Sequence, residues 1–111
     1  MIRGSVYRVD LGDAKRGHEQ RGKRLGICLS DGPDNWSTTV IIPTSTSAHD
    51  AVFRPRLLIG GRETLALIDQ IRTIDTTWVI GGPVDHLRAT DMAEVEYALG
   101  RYLRLRLNLD Y

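Results

Sequence analysis

Five consecutive residues, Thr38 to Ile42, are β-branched. Two heavy atoms on each Cβ crowd a helical turn and stiffen χ1, whereas a pleated strand accepts such side chains readily. The run therefore predicts a strand, and Pro43, which has no N–H to give to a ladder, is expected to end its pairing. The neighbouring apolar residues also come in short bursts. Val6 to Leu11 reads as a strand with one better-buried face, closed by Gly12-Asp13. Leu25 to Leu29 is apolar throughout and predicts a central strand. Val52 to Ile59, interrupted at Pro55, and Leu65 to Asp69 read as two more, with Gly60-Gly61 turning between them. Thr73 to Val79 fits a short helix or a turn, and Gly81-Gly82-Pro83 breaks the chain again.

The last segment has a different period. Met92, Val95, Leu99, Tyr102 and Leu103 fall on one helical face. Thr90 or Asp91 is placed to cap that helix, and Asp91 with Glu94 has the spacing of a capping box. Leu103 to Leu109 alternates strictly, which taken alone reads as a strand, and is expected to be the helix end running into an extended tail. Short strands followed by one helix give a mainly β, α+β architecture: a small curved sheet or barrel with a helix against it. A chain of 111 residues suits a single domain over residues 1–111. Its 41% hydrophobic and 26% charged residues are those of a globular protein, and no apolar run reaches the length of a membrane span. The start, Met1-Ile2-Arg3-Gly4, lacks the apolar stretch of a signal peptide. The lone Cys28 sits in an apolar run, as a core residue in a reducing cytoplasm would.

One segment stands apart from this scaffold. From Lys15 to Arg24, five of ten side chains are Lys or Arg against one Glu, although the whole chain carries only +1. Such a local excess attracts phosphate whatever the net charge is. Gly17 and Gly22 bracket the segment, and a hydroxyl cluster, Thr44-Ser45-Thr46-Ser47, follows the β-branched strand. A solvated hairpin loop accounts for the charges equally well. If the loop holds an RNA phosphate, however, the residue types suffice for cleavage. RNA brings its own nucleophile, the 2′-hydroxyl. His18 is of the residue type that can serve as acid or base near neutral pH, and Arg24 stays charged and can grip phosphate in a bidentate fork. Ser45 or Thr44 adds a fixed dipole, and Asp69, at a strand end, can serve as base or orient a neighbour. Glu19, Gln20, Arg21, Lys23 and Thr46 are candidate RNA contacts from the same two loops. Trp36, beside a polar turn, can stack on a base, pack in the core or meet a partner protein. No Walker loop, zinc-spaced Cys/His pair or HExxH occurs, so no cofactor or metal is implied.

Gly17-His18-Glu19-Gln20 with Gly22 and Arg24, the Pro43-x-Ser45 step, and Asp69-Gln70-Ile71-Arg72-Thr73-Ile74-Asp75 together resemble the MazF/PemK/Kid family of toxin endoribonucleases. So do the opening Arg3-Gly4-x-Val6-Tyr7 and the helix ending in Leu-x-Leu. The resemblance runs along nearly the whole chain. It implies an SH3-like barrel of the CcdB/MazF type and a homodimer with an RNA groove at its interface. It also implies metal-independent cleavage of single-stranded RNA, leaving a 2′,3′-cyclic phosphate or 3′-phosphate and a 5′-hydroxyl. The partner it implies is a cognate antitoxin with a disordered tail that folds onto the toxin. By position, Arg24 matches the family's catalytic arginine, Ser45 a threonine, His18 the loop histidine of some members, and Asp69 an aspartate proposed as base in one branch. Leu25 replaces the usual proline after the arginine, and Leu67 stands where the Asp69-using branch has arginine. Arg24 with Ser45 is therefore the expected core pair, and His18 the supporting acid or base. Arg72 is expected in a structural ion pair at the dimer interface rather than in catalysis, Trp78 in the core, and His49 in solvent. Two other functions fit the same fold: a CcdB-like gyrase poison, and an RNA-binding regulator without activity. The poison's Trp-Gly-Ile end is absent, since this chain ends Asn108-Leu109-Asp110-Tyr111.

Overall fold

The computed structural model describes residues 1–12, 22–31 and 36–106. Seven strands come first: β1 (Ser5–Asp10), β2 (Lys23–Cys28), β3 (Thr38–Ser45), β4 (Arg56–Ile59), β5 (Arg62–Ala66), β6 (Arg72–Asp75) and β7 (Val79–His86). A C-terminal helix, α1 (Ala89–Leu103), follows. Short 3₁₀ turns at Ile68–Gln70 and Thr76–Trp78 flank β6. The sheet order is β4-β5-β3-β2-β1-β7, with β6 also on β3, and all pairings are antiparallel. The mainly β, single-helix architecture expected from the sequence is the one observed.

The β-branched run is the middle of the molecule because β3 serves three neighbours. One edge pairs with β2 from Ile41 to Pro43. The other pairs with β6 from Thr38 to Ile41 and then with β5 at Thr44 and Ser45. Pro43 does not end the strand as expected. Its carbonyl accepts from Leu67 N at 2.9 Å, so its missing N–H falls on the edge that is changing partner from β6 to β5. Both faces of the sheet are apolar. Val6, Ile27, Ile42, Leu57, Ile59 and Ile68 form one cluster with Val95 and Ala98 of α1. Tyr7, Val9, Leu11, Cys28, Ile41 and Ile74 form another. Adjacent residues such as Ile27 and Cys28 go to different clusters, as the two-residue period of a strand requires.

Other boundaries move for local reasons. β4 begins only at Arg56, because Pro55 cannot donate within the pattern that Val52 began. Leu67 leaves β5, and Asp69 lies in a 3₁₀ turn rather than a strand. Thr73 to Val79 is mostly strand and turn, and β7 continues through Gly81-Gly82-Pro83. The register against β1 shifts on both sides of Tyr7, which absorbs the glycines and proline as an irregular edge. The capping box is not formed: α1 starts at Ala89, with Arg88 as N-cap and no side-chain cap. The helix buries Val95 and Ala98, while Tyr102 and Leu103 stay exposed. Arg104 closes it in a left-handed conformation, so the alternating tail begins as helix. Trp78 is 38% exposed rather than core, and the Arg72 guanidinium lies 5.6 Å from its ring centre. Cys28 is buried, with its Sγ 3.2 Å from the Ser30 carbonyl. None of the described helices is long and apolar enough to cross a membrane.

Candidate active site

The outer ends of β2 and β3 build a polar cleft of about 410 Å³. The ladder between these strands pairs Ile27 with Ile42 and Gly26 with Pro43. Followed outward, that register sets Leu25 across from Thr44 and Arg24 across from Ser45. The Thr44 hydroxyl donates to the Leu25 carbonyl at 2.9 Å, holding the two ends together where β3 turns toward β5. Arg24 and Ser45 both line the cleft, with Arg8 from β1 and Arg62 and Thr64 from β5.

Two adjacent hydroxyls are thereby given different tasks. A hydroxyl has one proton to donate and two lone pairs to accept with. Thr44 has committed its proton to the β2 backbone. The Ser45 oxygen accepts from Ser47 N at 3.2 Å and Ala48 N at 3.1 Å. Its acceptor sites are filled by backbone, so what Ser45 retains for a ligand is its proton. Thr46 is exposed beyond this turn. The charges match such a donor. Arg8, Lys23, Arg24 and Arg62 line the cleft, and none of the described residues lining it is acidic. A cleft with cations on its walls and a fixed O–H within it selects for an anionic oxygen.

The remaining candidates are placed as follows. His18, Glu19, Gln20 and Arg21 lie outside the described residues. Trp36 is 59% exposed at the far end of β3, roughly 30 Å of strand from Ser45 at about 3.3 Å per residue. Asp69 does not line the cleft. Its carboxylate receives Arg54 Nε at 2.9 Å and Nη2 at 2.7 Å, a bidentate pair. Those hydrogen bonds hold its carboxyl below the usual carboxylate range. His49 is exposed and uses its carbonyl to accept from Arg54. His86 ends β7 with Nδ1 2.7 Å from the buried Ser5 hydroxyl. Sequence reasoning missed Arg8, Arg62 and Thr64. Arg8 left a signal, as a lone cation between Tyr7 and Val9, but only the β5–β3 pairing brings Arg62 to the same place.

A larger groove, about 760 Å³, runs between residues 52–55 and α1. Phe53, Tyr97, Ala98 and Tyr102 dominate its walls, and the Arg101 guanidinium there lies over the Tyr97 ring. It has the area but not the charge for phosphate chemistry, so the smaller cleft is the candidate site.

Residues 2–103 match the family described as PemK-like, MazF-like toxin of type II toxin–antitoxin system. A Mycobacterium tuberculosis protein named as a candidate toxin is 57% identical over 105 residues, spanning 95% of this chain and 99% of its own. Among solved structures, MazF from Deinococcus radiodurans superposes with a TM-score of 0.79 at 24% identity, over 93% of this chain and 96% of that one. A mycobacterial endoribonuclease solved with its cognate antitoxin gives 0.76 at 19% identity, over 96% and 98%. These two likenesses establish that the fold is the MazF one. The family match and the 57% identity go further: this chain belongs to the PemK/MazF-like toxins of type II toxin–antitoxin systems.

Proposed function

We propose that the chain is an endoribonuclease that cuts single-stranded RNA at the Arg24–Ser45 cleft, without a metal ion. The 2′-hydroxyl oxygen attacks the adjacent phosphorus as a base takes its proton, and the P–O5′ bond breaks as the leaving 5′-oxygen takes up a proton. The products are a 2′,3′-cyclic phosphate, which can open to a 3′-phosphate, and a 5′-hydroxyl. Charge grows on the non-bridging oxygens during attack. Arg24 offsets it with a bidentate guanidinium, and Ser45 adds its one uncommitted proton. His18, which precedes β2 in sequence, is assigned the proton transfers. Asp69 is assigned a structural role, since both carboxylate oxygens are engaged by Arg54.

One observation carries this reading: Arg24 and Ser45 share a cleft in which the Ser45 oxygen is already saturated by backbone donors. Membership of a family known as endoribonucleases supports it. By the same kinship, the working form is a cytoplasmic homodimer held in check by a cognate antitoxin. A mycobacterial fold relative is solved with its own antitoxin bound.

The test is cleavage of a long transcript in excess EDTA by wild type and by Arg24→Ala, each checked for folding by circular dichroism. Cyclic-phosphate ends with wild type, and loss of about 10³-fold in rate with the variant, is the expected result. Intact RNA with folded wild type across several transcripts rejects the nuclease. Retained binding would then favour the non-catalytic RNA regulator, and inhibition of gyrase the CcdB-like alternative.

A further inference from the structure

Arg8 and Arg62, on the cleft walls, differ from six other described arginines in what they touch. Arg3, Arg54, Arg56 and Arg88 each hold a carboxylate, at 2.6, 2.7, 2.6 and 3.4 Å respectively. Arg72 and Arg101 lie over aromatic rings. Arg8 and Arg62 hold no carboxylate among the described residues, and both line the cleft. Among the described residues, Asp10 is the Cα partner of Lys23, and its Oδ1 accepts from Gly12 N at 3.0 Å, while Glu63, beside Arg62, lies 3.6 Å from Arg56. Arg8 and Arg62 also sit on opposite walls. Arg8 belongs to β1 and Arg62 to β5, with β2 and β3 between them. Three inter-strand steps of about 4.8 Å make a span of about 14 Å along the curved sheet. That is wider than one phosphodiester, while Arg24 and Ser45 occupy the middle.

We infer that Arg8 and Arg62 are the two ends of a phosphate track through the cleft, each holding a phosphodiester that flanks the one being cut. This rests on the endoribonuclease reading and adds that the substrate is recognised as a strand, with at least one phosphate on either side of the scissile bond. Both contacts are to backbone phosphate, so they set register and affinity without reading bases. They bind ground state and transition state alike, so they act on KM more than on kcat.

The experiment has two arms. The first measures binding of a fluorescent 2′-O-methyl hexaribonucleotide, which lacks the nucleophile, by anisotropy across a salt series. Arg8→Ala and Arg62→Ala are compared with Arg88→Ala, an exposed arginine at the N-cap of α1. Each cleft variant is expected to flatten the slope of log affinity against log salt by about 0.7, the value for one contact to single-stranded nucleic acid. Arg88→Ala keeps the wild-type slope. The second arm measures cleavage of the unmodified hexamer. KM is expected to rise several-fold in Arg8→Ala and Arg62→Ala, with partial rescue by Arg8→Lys and Arg62→Lys, and kcat to change by less than about threefold. Slopes equal to that of Arg88→Ala in folded variants overturn the track. Because the first arm needs no chemistry, a wild type that binds with this salt dependence but does not cut defeats the nuclease reading alone.

Discussion

Ser45 and Thr44 are neighbours in sequence, with the same functional group, yet their surroundings separate them. Thr44 is 4% exposed and its proton is fixed on the Leu25 carbonyl. Replacing it with valine keeps the shape and leaves that carbonyl without its donor. Thr44→Val is expected to lower stability by about 1–2 kcal/mol in urea titrations. Ser45 is different, because its lone pairs are engaged and its proton is the available one. Ser45→Ala is expected to lower kcat by about 10²- to 10³-fold, the usual cost of one fixed donor, and Ser45→Thr to keep most of it. Equal kcat values for wild type and Ser45→Ala would transfer the role to another group. For Arg24, lysine preserves the charge but loses the planar fork, so Arg24→Lys is expected to fall between wild type and Arg24→Ala in single-turnover rate.

Among the elements, the 3₁₀ turn Ile68–Gln70 shows how a candidate site residue can be a fastener instead. Asp69 and Arg54 pair with side chains only 17% and 18% exposed, tying the turn to the residues just before β4. The carboxyl's folded pKa is depressed by the Arg54 hydrogen bonds. Its stabilising contribution is thus complete above the unfolded carboxylate value, ~3.9, and is lost as pH falls through the lower folded value. Asp69→Asn is expected to cost about 1–3 kcal/mol at pH 7 and to erase that part of the acid-side decline in chemical denaturation. A general base would show itself otherwise, as a kcat loss in fully folded Asp69→Asn. The sequence made the strands legible where side chains alone decide them, as in Thr38–Ile42 and Leu25–Leu29. It was silent where the outcome depends on a distant partner. Pro43 stays in β3 because two different strands share that edge, and β7 survives its glycines because β1 accepts a shifted register. The cleft was half legible for the same reason. Arg24 and Ser45 stand out in their sequence segments, whereas Arg62 joins them only through β5–β3 pairing.

Across the whole molecule, β4 and β7 are the two ends of the strand order, and no ladder joins them. One hydrogen bond does: Gly60 N, in the β4–β5 turn, donates to Asp85 Oδ2 of β7 at 2.7 Å. Gly60 and Gly61 both have positive φ, 58° and 79°, a conformation that glycine adopts without a Cβ clash and that presents this N–H to the carboxylate. The sheet is therefore curled by its core and fastened at the rim by a side chain, and the β4–β5 hairpin held there carries Arg62 and Thr64 of the cleft. Donation from Gly60 N, then from His86 N, holds the Asp85 carboxyl below its ordinary range, so it is ionised at neutral pH and remains an acceptor. Asp85→Ala removes the acceptor, whereas Asp85→Asn keeps a carbonyl oxygen in place. Hydrogen exchange of the Gly60 amide is expected to speed up by tenfold or more in Asp85→Ala and much less in Asp85→Asn. If the fastener sets the width of the cleft, RNA KM rises in the alanine variant and follows the exchange rate across the two substitutions. If exchange accelerates while KM stays at the wild-type value, the curvature of the cleft is fixed by the shared core of β3 alone, and the rim contact only orders the turn.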